Sequence, residues 1–196
     1  IQILYITNIT KIYRLSPTDA NDILAMLDFA LKFPGPCSIR YPKETAAEFT
    51  RTLQPVELGK AEVFSWGTDG IILCCGTPLA DCLKAAEQLR EEGLDVGVVS
   101  ARFIKPLDRA VLKRAIEEGL FVLTVEEAML MGGFGSAVLE AANELRLDTR
   151  RISRVGIPDR FVEHGDRGEL LADIQLSPAG IAQACRDLAT ESPVQL

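Results

Sequence analysis

The sequence has little of what zinc coordination, nucleic-acid binding or membrane insertion requires. It contains one histidine and five cysteines, and no two cysteines form a Cys-x-x-Cys pair, so a structural zinc site is not expected. Acidic residues number 28 against 21 lysines and arginines, and the resulting net charge of -7 argues against a nucleic-acid or anionic-membrane partner. No apolar run approaches the roughly 18 to 20 residues that a membrane helix needs.

Several catalytic signatures are also missing. The sequence has no GxSxG, no P-loop and no HExxH motif, so it shows no complete active site by motif alone. The cysteine count is odd, and Cys74 and Cys75 lie within the apolar run IILCCG, where thiols are usually buried. We therefore expect reduced cysteines and a cytoplasmic protein.

What is present is a regular alternation of predicted strands and helices from Lys60 onward, at intervals of about 25 residues. This order predicts an α/β fold with a doubly wound, mostly parallel mixed sheet. The apolar segments on either side of Thr68-Asp69-Gly70 predict a β-hairpin, which would supply an antiparallel edge strand. The segment DVGVVSARF is predicted to form one strand, and a helix is predicted to open at Pro106.

The first 45 residues have a different organisation. Ser16 is predicted to cap one helix, and CSIRYP reads as a short strand, which together are too little for a separate hydrophobic core. We therefore expect residues 1–45 to be the tail end of a preceding α/β domain, and to be mobile or to pack in a non-native way. Residues 46–58 are predicted to be a linker, and residues 59–196 a complete domain.

Two features around the strand FVLTVEE are candidates for function. Glu126 and Glu127 are adjacent, so their side chains point to opposite faces of an extended chain, and a structural or interface role is favoured over catalysis. The glycine-rich turn 132–135 precedes a helix, so its N–H groups either bind an anion or allow tight packing; packing is favoured.

Four further side chains need weighing. Arg40 ends a predicted strand, where α/β sheets bind ligands, and a guanidinium suits a phosphate or carboxylate. Arg102 and Lys105 occupy a similar position, and spacing alone favours a solvated role for all three. His164 is predicted to be a hydrogen-bonding residue of a loop.

Four separated segments share a resemblance to one family: GPCSIRYPK, ARFIKPLD, VLTVEEAMLMGGFGSAVLE and GIPDRFVEHGDRGELLADIQL. In this order they resemble the C-terminal part of the 1-deoxy-D-xylulose-5-phosphate synthase family, which belongs to the transketolase-like, thiamine-diphosphate-dependent enzymes. The resemblance covers nearly the whole chain from Ser16. It implies a homodimeric, three-domain parent that condenses pyruvate with glyceraldehyde 3-phosphate and releases CO2. This chain would be its C-terminal piece, inactive alone, and thiamine diphosphate and Mg2+ would bind the parent rather than this chain.

The resemblance carries over one site residue. Arg40 matches the arginine of the family's RYPRG motif, which binds the phosphate of the acceptor, although Lys43-Glu44 stand here in place of Arg-Gly. No catalytic, cofactor-binding or metal-binding residue is expected in this chain, and neither Glu126 nor Glu127 takes the role of the cofactor-activating glutamate. The alternatives are the C-terminal region of a transketolase or 2-oxoacid dehydrogenase β-subunit, and a non-catalytic oligomerisation module.

Overall fold

The computed structural model describes residues 11–42 and 48–190. The strands in these ranges are β1 (Tyr13–Leu15), β2 (Cys37–Ile39), β3 (Glu62–Ser65), β4 (Gly70–Cys75), β5 (Val96–Ser100), β6 (Phe103–Lys105), β7 (Phe121–Met129) and β8 (Ile152–Ile157). The α-helices are α1 (Ala20–Lys32), α2 (Leu79–Glu91), α3 (Arg109–Glu118), α4 (Phe134–Glu144), α5 (Arg167–Asp173) and α6 (Pro178–Thr190).

Five of the strands form one large sheet in the order β3-β5-β4-β7-β8. Strands β5, β4, β7 and β8 run parallel, and β3 pairs antiparallel with β5 at the edge. Strand β4 lies at the centre and is buried along its whole length, as expected for a strand with helices on both faces. The predicted mixed α/β sheet with an antiparallel edge strand is confirmed.

The predicted hairpin is wrong, because β5 lies between β3 and β4. The turn residues bond to the start of β5 instead: the Thr68 N–H donates to the Asp95 carboxylate at 2.9 Å, and the Asp95 N–H donates to the Asp69 carboxylate at 2.7 Å. The backbones at Gly67 and Gly97 lie in close contact, which glycine allows because a Cβ on Gly67 would lie 2.3 Å from the backbone nitrogen of Gly97. The residues of the predicted turn thus bond not to an adjacent hairpin strand but to Asp95, 27 residues after Thr68.

The predicted strand DVGVVSARF is divided between two sheets. Strand β5 ends at Ser100, and Arg102 adopts a left-handed backbone with φ of 53°, which turns the chain so that β6 joins a second sheet. That sheet has the order β2-β1-β6, with β1 parallel to β2 and antiparallel to β6. The opening segment therefore completes its sheet with a strand from the later part of the chain.

Two helix starts also differ from prediction. Helix α1 begins at Ala20 and is capped by Asp19, whose carboxylate accepts the N–H of Asp22 at 2.7 Å, so the predicted cap Ser16 lies three residues too early. Helix α3 begins after Asp108, which caps it, rather than at Pro106.

Apolar side chains cover both faces of the large sheet. One cluster lies under α2 and α6, and the other under α3 and α4. The small sheet has a much smaller core, in which the buried members are Leu15, Met26 and Phe103. One of these three, Phe103, comes from β6.

A group of buried charges, here called the charge clamp, joins the two sheets. Its members are Asp19, Asp22, Arg51, Glu62 and Arg102. Arg102 is 2 % exposed, and its Nη2 donates to Asp22 at 2.9 Å and to Glu62 at 2.8 Å. The expectation of a solvated Arg102 is therefore wrong. Burial works against the charge of Arg51, but its hydrogen bonds to Glu62 and Asp19 outweigh burial and raise its pKa.

Candidate functional site

Arg40 lies where the two sheets meet. It follows β2 directly, and its backbone N–H extends the strand pairing by donating to the carbonyl of Leu15 at 2.9 Å. The half-buried side chain reaches the large sheet, where Nη2 donates to the backbone carbonyl of Glu127 at 2.9 Å. The one site residue expected from the sequence is thus held at the carboxyl end of β7, the edge at which α/β sheets bind ligands.

A second guanidinium lies close to Arg40. Arg14, on β1, is 1 % exposed and pairs in register with Ser38, two residues before Arg40 on the neighbouring strand. Burial lowers the pKa of Arg14, and the positive charge of Arg40 lowers it further. Two guanidiniums therefore lie near each other at this end of the small sheet. Sequence reasoning missed Arg14, although a charged residue inside the extended segment IYRL was a signal.

Glu127 is held by a loop residue and by the first residue of a helix at the same edge. Its Oε2 accepts from Thr77 Oγ1 at 3.0 Å and from Arg167 Nη2 at 2.6 Å. Thr77 follows β4, and Arg167 is the first residue of α5. Neither was identified from the sequence, because the three residues meet only through the order of the strands.

Glu126 points the other way and is 1 % exposed. Its two carboxylate oxygens accept the backbone N–H groups of Phe134 and Gly135 at 2.7 Å each, at the start of α4. Burial raises the pKa of Glu126 to about 6, while these hydrogen bonds and the charges of Arg154 and Arg40 act in the opposite direction. The adjacent glutamates thus point in different directions, and the anion at this helix N-terminus is a side chain of the protein itself.

The glycines of the turn allow this arrangement. A Cβ on Gly133 would lie 2.3 Å from the Glu126 carboxylate and 2.2 Å from the carbonyl of Met129, and one on Gly135 would lie 2.6 Å from Thr124 Oγ1. Tight packing, the favoured interpretation of the turn, is confirmed by these distances. The N–H groups of Phe134 and Gly135 are used by Glu126, so these two donors are not available to an external anion.

Two other residues of types that can take part in reactive chemistry are Cys75 and His164. Burial raises the pKa of the Cys75 thiol to about 12, so the thiol stays protonated at neutral pH and is a poor nucleophile. His164 lies in the exposed loop between β8 and α5. The residue from this region that reaches the site is Arg167.

Within residues 11–42 and 48–190, no group of three or more His, Cys, Asp or Glu side chains is arranged to hold a metal ion. We therefore assign no metal-binding role to any residue in these ranges. In the same part of the chain, no helix has both the length and the apolar character needed to cross a membrane.

The profile of the transketolase C-terminal domain matches residues 59–181. The chain belongs to the transketolase family. Its match begins just before β3 and includes the whole large sheet.

Individual relatives show which branch of the transketolase family the chain resembles. The chain is 48 % identical to 1-deoxy-D-xylulose-5-phosphate synthase of Rhodopirellula baltica over 177 residues, which cover 90 % of this chain. It is 41 % identical to the enzyme of the same name from Bacillus velezensis over 182 residues, 91 % of this chain. The resemblance to this synthase family is therefore confirmed. The chain spans 28 % and 29 % of the lengths of these two relatives.

A solved structure of a split-gene transketolase, described as an inactive β4 tetramer, has the same fold. The TM-score is 0.86 at 28 % sequence identity, and the match covers 95 % of this chain and 60 % of that one. The match confirms the transketolase-like α/β architecture.

Proposed function

We propose that this chain is the C-terminal part of a 1-deoxy-D-xylulose-5-phosphate synthase. The parent would join the two carbons left after decarboxylation of pyruvate to the aldehyde carbon of glyceraldehyde 3-phosphate, with release of CO2. The single observation that carries the proposal is the position of Arg40, the arginine of the family's RYP motif, at the carboxyl edge of the sheet. The similarity of 48 % over nine-tenths of the chain supports the same assignment.

In this proposal Arg40 binds the phosphate of the acceptor and takes no part in bond making or breaking. One of its five N–H donors is used by the Glu127 carbonyl, which leaves donors for phosphate oxygens in the fork geometry that arginine favours. Arg14 adds a second positive charge behind it. Binding the phosphate fixes the distance of the aldehyde carbon from the reaction centre.

Thiamine diphosphate and Mg2+ are the proposed cofactors of the parent, where they would supply the electron sink for decarboxylation. We assign none of the described residues to either, and the chain alone is proposed to be inactive. Residues 1–45 would form the tail end of the middle domain, residues 46–58 would link the two domains, and residues 59–196 would form the third domain. We further propose a homodimeric parent in the cytoplasm, in keeping with five free cysteines.

The test is a product assay with the full-length parent, supplied with pyruvate, glyceraldehyde 3-phosphate, thiamine diphosphate and Mg2+. Mass spectrometry should detect 1-deoxyxylulose 5-phosphate together with CO2. Ketol transfer between sugar phosphates, without CO2, would assign the chain to a transketolase instead. Acyl transfer would point to a 2-oxoacid dehydrogenase, and no turnover at all to a non-catalytic module.

The role of Arg40 is tested in the same parent enzyme. Arg40→Ala should raise the KM for glyceraldehyde 3-phosphate about 10- to 100-fold, because a charged hydrogen-bonding partner of the phosphate is lost. Arg40→Lys should retain part of the affinity, since it keeps the charge and loses the fork. An unchanged acceptor KM in Arg40→Ala would contradict phosphate binding by this residue.

A further inference from the structure

The proposed phosphate-binding arginine depends on the third domain for its orientation. Rotation about the long side chain of Arg40 would otherwise leave the guanidinium plane undefined. The contact that fixes it is the 2.9 Å hydrogen bond from Nη2 to the backbone carbonyl of Glu127, a residue 87 positions away. Bidentate recognition of a phosphate requires a defined plane, so the position of that carbonyl matters for binding.

The carbonyl is in turn held through the Glu127 side chain. Thr77 and Arg167 both donate to Oε2; Thr77 belongs to the loop after β4, and Arg167 is the first residue of α5. The side chain of Glu127 is 26 % exposed and that of Arg167 is 42 % exposed, so solvent weakens this ion pair. The hydroxyl of Thr77 adds a directional bond that screening affects less.

The same strand end is fixed on its other side. Glu126 accepts two N–H groups from the start of α4, so the backbone that leads into Glu127 is anchored as well. The carbonyl that Arg40 contacts lies in the following peptide unit, between Glu127 and Ala128, and the anchored side chains at 126 and 127 fix the direction in which it points. A backbone acceptor used in this way cannot be altered by mutation directly, but its supporting side chain can.

We propose that Glu127 is a positioning residue for the acceptor phosphate, which acts through its backbone carbonyl on Arg40 and is supported by Thr77. This inference rests on the proposed function, because it assumes that Arg40 binds the phosphate of the acceptor. Glu127 itself does not touch the substrate.

The experiment measures steady-state kinetics of the full-length parent with two acceptors, glyceraldehyde 3-phosphate and the unphosphorylated D-glyceraldehyde. Glu127→Ala should lower kcat/KM for the phosphorylated acceptor about tenfold, and Thr77→Val about threefold, as expected for contacting residues that act in series. Both variants should leave kcat/KM for D-glyceraldehyde and the KM for pyruvate unchanged. Glu87→Ala, an exposed glutamate on α2, is the matched control and should change none of these values.

The Arg40→Ala background separates the two proposals. In that background Glu127→Ala should have no further effect, because the group that it positions is gone. If Arg40→Ala does not affect the phosphorylated acceptor, the proposed role of Arg40 fails. If Arg40→Ala weakens the acceptor but Glu127→Ala and Thr77→Val do not, or if they weaken both acceptors equally, Glu127 is not a positioning residue.

Discussion

The two sheets of this chain are stabilised in different ways. The large sheet lies between two extensive apolar clusters, one on each face. Among the described residues, the apolar cluster of the small sheet has three buried members, Leu15, Met26 and Phe103, and this sheet lies against the charge clamp. Hydrophobic burial scales with area, so a sheet this small gains little from it. The comparison indicates that the small sheet depends on its attachment to the large one.

Two parts of this attachment come from the segment after β5. Strand β6 supplies backbone pairing to β1, and Arg102 supplies the central cation of the charge clamp. Arg40 lies at the same boundary between the two sheets, so the site lies where the less stable region meets the more stable one. Binding sites that must adjust to a ligand are often placed in regions of low local stability.

The largest expected effect is on the charge clamp. Arg102→Ala removes the more deeply buried of the two cations of the charge clamp and leaves Arg51 alone with three carboxylates, so it should lower the free energy of unfolding of the small sheet by about 3–5 kcal/mol. Hydrogen exchange of the 196-residue chain should show faster exchange in β1 and β2, with β4 and β5 unchanged. Arg90→Ala, at an exposed arginine of α2, is the control and should change stability by less than about 0.5 kcal/mol. Equal loss in both sheets would contradict the comparison.

A cavity in the core of the large sheet should destabilise both sheets, rather than the small sheet alone. Leu123 on β7 is fully buried, so Leu123→Ala should cost about 3 kcal/mol through lost contacts and the cavity that remains. We expect exchange to accelerate throughout the large sheet, and in the small sheet as well, because β6 and the charge clamp are attached to it. Acceleration confined to β1 and β2 would show that the dependence runs the other way.

The smallest expected effect is a pH dependence from Glu126. Its pKa is raised from the ordinary 4.5 to about 6 in the folded chain, so the folded state binds more protons between these values. The stabilising contribution of the protonated Glu126 carboxyl is therefore complete below about pH 4.5. It is lost as the pH rises through 6, which lowers the free energy of unfolding by about 2 kcal/mol. Urea denaturation of the wild type and of Glu126→Gln between pH 4.5 and 7 isolates this contribution as the difference between the two curves. Parallel curves would mean that the carboxyl is not perturbed.

Sequence reasoning predicted the large sheet because its signals are local. Apolar runs such as FVLTV and the glycines after them identify strands and turns without knowledge of their neighbours. The division of DVGVVSARF was not predictable in this way, because Arg102, at the left-handed turn, pairs with Asp22 and Glu62, which lie far from it in the sequence. The same reason explains the hairpin error, since nothing local to Thr68 reveals that β5 will insert.

The site was predictable only in part. Arg40 was identified through the RYP motif and its place after a strand. Glu127 was noticed for its side chain, whereas its carbonyl is the group that contacts Arg40. Thr77 and Arg167 reach Glu127 through tertiary structure alone, across 50 and 40 residues, and no spacing rule connects them.

The most direct test of the account is native-state hydrogen exchange of the unmodified 196-residue chain. The claim is that the small sheet is the less stable region and is held by the large one. The account predicts that the amides of Leu15 and Arg40, which pair within the small sheet, exchange with a lower opening free energy than those of Ile72 and Val98 in the large sheet. Equal opening free energies for all four amides would contradict it.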